Sequence, residues 1–151
     1  KGVKLVLDTT KDLLTKCLPY HPFIIKPNHH ELGEIFGVTI ETEEQIVNYA
    51  KQLQQMGARN VLISRGGDGA MLITETGEVY TSNVPKGTLV NSVGAGDSML
   101  SGFMARFIET GDYAASLRQG AATGSATAFS VGIAEKALIE ELLPQVVVTK
   151  L

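Results

Sequence analysis

The chain has 151 residues, of which 44% are hydrophobic and 19% are charged, and its formal net charge at pH 7 is −3. This composition excludes an intrinsically disordered chain, and the slightly acidic charge without a basic run argues against nucleic acid as a partner. The apolar runs are too short to span a membrane, and the single cysteine, Cys17, cannot form an internal disulfide. We therefore expect a globular cytoplasmic domain with no membrane partner.

The first predicted elements are short strands rich in β-branched residues. They cover residues 3–8, 23–26 and 60–64, and such runs are typical of the interior of a parallel sheet. The first run begins almost at Lys1, which predicts that the chain is a piece of a longer protein. Removal of an initiator methionine, or trimming of the chain, would give a sequence that begins in the same way.

The clearest predicted helix lies between the last two of these strands. Apolar residues recur at helical spacing from Ile46 to Met56. Thr42, followed three residues later by Gln45, predicts a capping box at the start, and Gly57 predicts the C-terminal stop. The alternation of strands and helices favours an α/β fold with a mostly parallel sheet.

The second half of the chain predicts one antiparallel hairpin and then several helices. The hairpin strands cover residues 70–74 and 78–81 and are joined by a turn at 75–77. The later elements are helices over 95–109, 112–130 (with Asp112 as N-cap) and 134–143, and a terminal strand over 145–149. Since no linker or repeat is visible, we expect one domain over residues 1–151.

The segment N-S-V-G-A-G-D-S at 91–98 gives the strongest chemical signal. The backbone N–H groups of Gly94, Ala95 and Gly96 precede or open a predicted helix, where the helix dipole favours an anion such as a phosphoryl group in transfer. Asp97 follows directly and would be placed to accept a proton from an attacking hydroxyl. The alternative is that Asp97 is an ordinary acidic residue in a first helical turn, without a chemical role.

The glycine-rich segment at 64–69 follows a predicted strand directly. Its three glycines, Gly66, Gly67 and Gly69, would suit close approach to the phosphates or ribose of a nucleotide, but a tight turn between strands would use the same residues. Neither glycine-rich segment contains the Gly-Lys-Ser/Thr of a P-loop. Neither has the G-x-G-x-x-G context of a dinucleotide-binding domain, which argues against an NAD-dependent enzyme.

A third candidate segment, K-P-N-H-H-E at 26–31, lies at the end of another predicted strand. Lys26 would neutralise phosphate charge, and Asn28 with Glu31 would hold a hydrated magnesium ion through oxygen atoms. The alternative is that Asn28 only caps a helix. The small residues of 121–128, which include Ser125, would form either a flat wall beside an adenine ring or a close helix packing surface.

The order of three segments resembles the C-terminal half of the ribokinase-like sugar kinases, in the phosphofructokinase B branch. The segments are KPNHHEL, ISRGGDGA and NSVGAGDSMLSGF. The amino-acid sequence around the last segment, and that around AATGSATAFSVGIA, is most similar to bacterial 1-phosphofructokinases. The resemblance covers essentially the whole chain. It implies a three-layer α/β/α fold that is partial, because the N-terminal half and the lid of that family have no counterpart here.

The resemblance implies a role for each candidate residue. Asp97 corresponds to the catalytic base, and Gly94, Ala95 and Gly96 correspond to the anion hole. The residues implied in binding ATP and magnesium are Lys26, Asn28, Glu31, Ser64, Gly66, Gly69 and Ser125, of which Asn28 and Glu31 would hold Mg²⁺ through water. Some relatives bind K⁺ beside the anion hole, and the sequence leaves open whether Asn91 and Val93 do so.

The implied activity is ATP-dependent phosphorylation of fructose 1-phosphate to fructose 1,6-bisphosphate, with this piece inactive by itself. Tagatose 6-phosphate and fructose 6-phosphate are alternative acceptors, since the residues that select the sugar lie in the missing half. A non-catalytic nucleotide-binding module is the alternative of a different class. The parent is expected to be a homodimer, and the isolated piece is expected to self-associate through exposed sheet edge and apolar surface.

Overall fold

The structure is a computed structural model that describes residues 3–9 and 11–151. Contacts between residues divide the chain into two compact units. The first comprises Lys1–Arg65 and Met71–Val79, and the second comprises Gly66–Ala70 and Tyr80–Leu151. Each unit has its own helices and strands.

The first unit contains four described strands, the first three of which pair in parallel. Its strands are β1 (Val6–Leu7), β2 (Ile24–Ile25), β3 (Asn60–Ser64) and β4 (Ala70–Ile73), the first residue of which belongs to the second unit. β1 pairs with β2 and β2 with β3, both in parallel, with Leu7 opposite Ile25 and Ile25 opposite Val61. The predicted parallel strands are confirmed, but β1 and β2 are shorter than predicted because pairing is limited to these residues.

Three helices accompany this sheet. They are α1 (Lys11–Cys17), which runs on into a 3-10 turn at Leu18–Tyr20, α2 (His29–Phe36) and α3 (Glu43–Gln55). The sequence predicted α3, whereas α2 appeared only as the helix that Asn28 would cap and α1 was missed. The helices pack around one apolar cluster, which includes Leu14, Leu18, Ile25, Leu32, Ile46, Ala50, Leu53, Val61, Ile63, Met71 and Ile73.

The ends of α3 follow its local sequence. The Thr42 side chain accepts a hydrogen bond from the Gln45 N–H at 3.2 Å, and Gln45 Oε1 accepts one from the Thr42 N–H, so the predicted capping box is confirmed. Gly57 follows the helix with φ +136°, and a Cβ built there would lie 1.9 Å from the Leu18 carbonyl oxygen. A close backbone approach therefore requires this glycine. Met56, predicted as the end of the apolar stripe, is exposed because it lies beyond the last helical turn.

The predicted turn at 75–77 is also confirmed. The Thr74 N–H donates to the Glu78 carbonyl and the Gly77 N–H donates to the Thr74 carbonyl, both at 2.9 Å. Gly77 has φ +86°, a conformation that favours glycine.

The second unit is mainly helical. Its elements are β5 (Val79–Ser82, the first residue of which belongs to the first unit), α4 (Ala95–Thr110), α5 (Tyr113–Ala128), α6 (Lys136–Leu142) and β6 (Val148–Lys150), with 3-10 turns at Gly66–Asp68 and Leu143–Gln145. The three predicted helices are confirmed to within about two residues at each end. No helix within residues 3–9 and 11–151 combines the length and the apolar character that a membrane crossing needs.

β6 lies further along the chain than the predicted terminal strand at 145–149. It pairs antiparallel with β5, with Ser82 opposite Val148, and begins three residues later than predicted because Pro144 lies in a 3-10 turn. The side chain of Asn83 fixes the approach to the strand: it donates to the Gln145 carbonyl at 3.1 Å and accepts from the Val147 N–H at 2.7 Å. Such a side-chain bridge over 62 positions has no local sequence signal.

Candidate functional site

In the first unit, candidate residues meet at the carboxyl ends of β2 and β3. Asn28 forms a bridge with Ser64 in parallel register, and the Ser64 N–H donates to the Pro27 carbonyl at 3.3 Å. Asn28 Oδ1 accepts from the Glu31 N–H and Glu31 Oε2 accepts from the Asn28 N–H, both at 2.8 Å. The structure therefore brings Asn28, Glu31 and Ser64 together, and it contains the helix cap that was the alternative role of Asn28.

The capping box uses only part of the oxygen donors of this pair. Glu31 contributes Oε2 to the box and keeps Oε1 for another partner, and both residues are half-buried. Carboxylate and amide oxygens are the donors that Mg²⁺ prefers, and one or two protein oxygens with several waters suffice for it. The donor set therefore fits a hydrated magnesium ion. Among the described residues, no group of three or more His, Cys, Asp or Glu side chains is placed to hold a metal directly.

Lys26 is more deeply buried than the sequence suggested. Its side chain is 8% exposed, and its Nζ lies 3.5 Å from Oδ1 of Asp8, which follows β1 directly. The Lys26 N–H donates to the Leu7 carbonyl at 3.2 Å, which fixes the residue at the strand end. Sequence reasoning missed Asp8, although an acidic residue at the end of the predicted strand 3–8 was a usable signal.

Arg65 is a second charged residue that sequence reasoning left without a role. Its Nη1 lies 2.6 Å from Oε1 of Glu43 in the first turn of α3, and its Nε is buried without a hydrogen-bond partner among the described residues. The arginine directly after β3 is therefore held over the N-terminus of α3.

In the second unit, the glycine-rich loop forms a tight 3-10 turn. Gly66 has φ +59° and Gly69 has φ +84°, and the Gly69 N–H donates to the Gly66 carbonyl at 3.2 Å. A Cβ at Gly69 would lie 1.8 Å from the Ser82 carbonyl oxygen. The geometry of the turn is therefore sufficient to explain the glycine at position 69. A tight turn was the structural alternative that the sequence left open for this segment.

The N-terminus of α4 carries the other main set of candidates. Gly94 is the N-cap, with φ +79°, Ala95 and Gly96 open the helix, and Asp97 is exposed in its first turn. The Ala95 N–H donates to the Ser92 carbonyl at 3.2 Å, and Ser98 closes the first turn on the Gly94 carbonyl at 2.9 Å. The predicted position of Asp97 in a first helical turn is therefore confirmed, whereas its chemical role stays a prediction.

The start of α4 differs from those of α2, α3 and α5, and shares with that of the short α6 the lack of a side-chain cap. α2, α3 and α5 each begin with a side chain that accepts a backbone N–H: Asn28, Thr42 and Asp112. No side chain of a described residue caps α4, although it is one of the two longest helices described. Since the first N–H groups of a helix lack intrahelical partners and carry its positive dipole end, this start is suited to an anion.

The small residues of α5 serve close packing against α4. A Cβ at Gly120 would lie 2.7 Å from the Met99 carbonyl oxygen, and one at Gly124 would lie 2.9 Å from the Ala95 carbonyl oxygen. The structure thus supports the interpretation that the small residues of α5 form a close packing surface. Ser125 is half-buried beside Gly124, and its proposed place near an adenine ring stays a prediction.

Comparison with known proteins gives a family match over most of the chain. Residues 2–140 match the family described as pfkB family carbohydrate kinase. The 1-phosphofructokinase of Bacillus subtilis is 46% identical over all of this chain and 50% of its own length, and the D-tagatose-1-phosphate kinase of Bacillus licheniformis is 37% identical over 99% and 49%. The chain spans about half the length of the curated relatives it matches.

Solved structures give the same fold. A crystal structure of a Staphylococcus aureus protein superposes with a TM-score of 0.94 at 37% identity, covering 99% of this chain and 49% of that one. Arabidopsis thaliana ribokinase, solved with ribose and ATP, gives a TM-score of 0.79 at 25% identity over 94% and 48%. The α/β fold and the resemblance inferred from the three segments are therefore confirmed.

Proposed function

The chain belongs to the pfkB family of carbohydrate kinases, and we propose that residues 1–151 are the nucleotide-binding and catalytic C-terminal half of an ATP-dependent sugar-phosphate kinase. The acceptor we propose is fructose 1-phosphate, giving fructose 1,6-bisphosphate, because 1-phosphofructokinases are among the relatives that match the whole chain. Tagatose 1-phosphate is the second candidate, favoured by the D-tagatose-1-phosphate kinase that matches 99% of the chain.

The proposal depends on one observation, the uncapped start of α4 with an exposed carboxylate in its first turn. In the proposed reaction the acceptor hydroxyl oxygen attacks the γ-phosphorus of ATP, the bond to the bridging oxygen breaks, and ADP leaves. Asp97 takes the hydroxyl proton as the new O–P bond forms. The N–H groups of Gly94 and Gly96 donate to the phosphoryl oxygens, on which negative charge accumulates, and the Ala95 N–H would share its hydrogen between them and the Ser92 carbonyl.

The first unit would serve the nucleotide phosphates. We propose that Asn28 and Glu31 hold Mg²⁺ through water and that Ser64 lies in the nucleotide-binding loop. Bound there, Mg²⁺ would neutralise phosphate charge. For Lys26, whose ammonium lies beside Asp8, a contact with phosphate requires that it share its charge between the two partners.

Three further residues are proposed to contact the nucleotide. Gly66 and Gly69 would form the rest of the nucleotide-binding loop and Ser125 would lie beside the adenine. A K⁺ requirement is tested by replacing KCl with tetramethylammonium chloride, since Asn91 and Val93 lie in the segment that would carry the site. The homodimeric parent and its cytoplasmic location stay predictions.

Asp97→Asn in the full-length protein tests the base role. A general base contributes about 10²- to 10⁴-fold, so we expect kcat to fall at least about 100-fold with little change in the KM for ATP. Asp112→Asn is the matched control, because Asp112 is also an acidic residue at a helix start and asparagine caps equally well. Near-normal turnover in Asp97→Asn would remove Asp97 from the base role.

The acceptor is tested by coupled ADP release from the full-length protein with four sugar phosphates. Fructose 1-phosphate, tagatose 1-phosphate, fructose 6-phosphate and tagatose 6-phosphate are compared by kcat/KM, and we expect a ketose 1-phosphate to rank first. Tight Mg·ATP binding without ADP release with any of them would instead support the non-catalytic nucleotide-binding module.

Glu31→Gln separates the magnesium role from the capping role. Glutamine completes a capping box as glutamate does, as Gln45 does in α3, so the free energy of unfolding should change little. Loss of the carboxylate charge should raise the Mg²⁺ concentration needed for half-maximal activity by about tenfold or more. An unchanged Mg²⁺ requirement would leave Glu31 with the capping role alone.

A further inference from the structure

Thr127, in the last turn of α5, makes a hydrogen bond that reaches another helix. The residue is 3% exposed, and its hydroxyl donates to Ser98 Oγ in the first turn of α4 at 2.9 Å. The same oxygen accepts from the Ala134 N–H at 3.4 Å. A single buried hydroxyl therefore connects the start of α4, the end of α5 and the segment that follows α5.

This bond is not the one that a helical hydroxyl usually makes. Threonine and serine side chains in helices commonly donate to the carbonyl four residues earlier in the same helix. Thr123, one turn earlier in α5, does so toward Gln119 at 2.8 Å, and Thr110 does so toward Arg106 at 2.8 Å. The Thr127 hydroxyl instead donates its hydrogen bond to Ser98 in α4.

The residues that α5 holds are the first turn of α4. Ser98 is adjacent to Asp97, and its N–H closes that turn on the Gly94 carbonyl at 2.9 Å. Gly124, one turn before Thr127, lets α5 approach so closely that a Cβ there would lie 2.9 Å from the Ala95 carbonyl oxygen and 3.0 Å from Met99 Cβ. Contact at Gly124 and a directional bond at Thr127 thus fix the position and rotation of this turn.

We propose that Thr127 is a positioning residue for phosphoryl transfer, acting through Ser98 to hold Asp97 and the amides of residues 94–96 in a fixed orientation. This inference rests on the proposed function, in which Asp97 is the base. A base and an anion hole stabilise the transition state only when their atoms are held in the correct positions. Small displacements of these atoms therefore lower the reaction rate. Thr127 itself is buried beneath the turn and is assigned no contact with substrate.

The test compares three single variants of the full-length protein. Thr127→Val keeps the shape and removes the hydroxyl, Thr127→Ser keeps the hydroxyl, and Thr123→Val makes the same change where the hydroxyl bonds only within α5. Since one hydrogen bond corresponds to about a fivefold effect on a rate, we expect kcat to fall about fivefold in Thr127→Val, with the KM for ATP nearly unchanged. Thr127→Ser and Thr123→Val should stay within about twofold of the parent.

Ser98→Ala provides a second route to the same bond. It should lower kcat as Thr127→Val does, and the double variant should be no worse than Thr127→Val alone, because Thr127→Val already removes the bond to Ser98. If Thr127→Val does not fold, Ser98→Ala alone decides. A kcat in Ser98→Ala or Thr127→Val within about twofold of the parent, or an equal loss in Thr127→Ser, overturns the inference.

Hydrogen exchange distinguishes this inference from the proposed function. Exchange of the amides in residues 94–100 should be faster in Thr127→Val than in the parent, and unchanged in Thr123→Val, whatever reaction the protein catalyses. If Asp97→Asn retains the parent kcat, the proposed function fails. The positioning role of Thr127 is then tested by hydrogen exchange alone. Unchanged exchange over this peptide in Thr127→Val would then overturn it.

Discussion

Alanine substitutions in the loop at 66–69 separate the two reasons for which a backbone position needs glycine. Gly67 has an ordinary φ, Gly66 has φ +59°, and Gly69 has φ +84°. Cβ atoms built at Gly66 and Gly67 lie more than 4 Å from other atoms of the described chain, whereas one at Gly69 lies 1.8 Å from the Ser82 carbonyl oxygen and 2.9 Å from its carbon. The series therefore adds first a conformational cost and then a steric one.

The size of each step follows from these contacts. Gly67→Ala should change the free energy of unfolding by less than about 0.5 kcal/mol, as an exposed substitution without strain. Gly66→Ala should cost about 1–2 kcal/mol, the penalty of a side chain in the left-handed region. Gly69→Ala adds a clash with backbone that no rotamer can relieve, and at about 1–3 kcal/mol for overpacking the total is about 2–5 kcal/mol.

Urea unfolding of the full-length variants measures the change in the free energy of unfolding for each of the three substitutions. The same m-value, the slope of this free energy against urea concentration, is used for all variants. Equal losses in Gly66→Ala and Gly69→Ala would refute the steric argument, because only Gly69 faces the Ser82 carbonyl. The same variants also test the nucleotide role. A rise of about tenfold or more in the KM for ATP in Gly66→Ala, beyond its small effect on stability, would indicate contact with nucleotide at that exposed glycine.

Two further predictions concern single residues. Asn60 is fully buried, and its side chain donates to the Phe23 carbonyl at 2.8 Å and accepts from the Glu75 N–H at 2.9 Å. Asn60→Leu should cost about 1–3 kcal/mol in urea unfolding, because the Glu75 N–H loses this hydrogen bond while the Phe23 carbonyl keeps the one from the Asn60 N–H. A cost below about 1 kcal/mol would contradict this. Gly94→Asn should cost less in urea unfolding than the about 1–2 kcal/mol that a left-handed φ imposes on an ordinary side chain, because asparagine tolerates positive φ. Its kcat should fall, because a side chain is added next to the amides that we propose bind the phosphoryl group. An unchanged kcat would argue against the anion hole.

The features that the sequence predicted well are those set by neighbouring residues. The capping box of α3 and the Asp112 cap of α5 each depend on residues three apart, so local spacing predicts them. The turn at 75–77 follows in the same way from Gly77, whose positive φ it requires.

The features that it missed depend on distant residues. The length of β1 is set by its pairing with β2, and the start of β6 by the bridge from Asn83. The missed α1 spans only seven residues, too short for a periodic pattern to stand out.

The candidate site shows the same division. The motif at 94–97 and the cap at Asn28 were readable because each chemical group and the helix end that positions it are adjacent in sequence. The pairing of Lys26 with Asp8, and of Arg65 with Glu43, joins residues 18 or more positions apart, through a sheet and a helix that had first to be built. Burial of the Lys26 ammonium therefore could not be anticipated from its place at a strand end.

Gly94 determines how α4 begins. Its φ of +79° is left-handed, a conformation that favours glycine. The N-cap residues of α2, α3 and α5, whose side chains accept a backbone N–H, all have extended backbone. Because side-chain capping of this kind uses extended backbone, the left-handed residue 94 leaves the amides at the start of α4 without a side-chain cap. Glycine leaves those amides to another acceptor, next to an exposed carboxylate, and that arrangement is what a transferring phosphoryl group and its proton require.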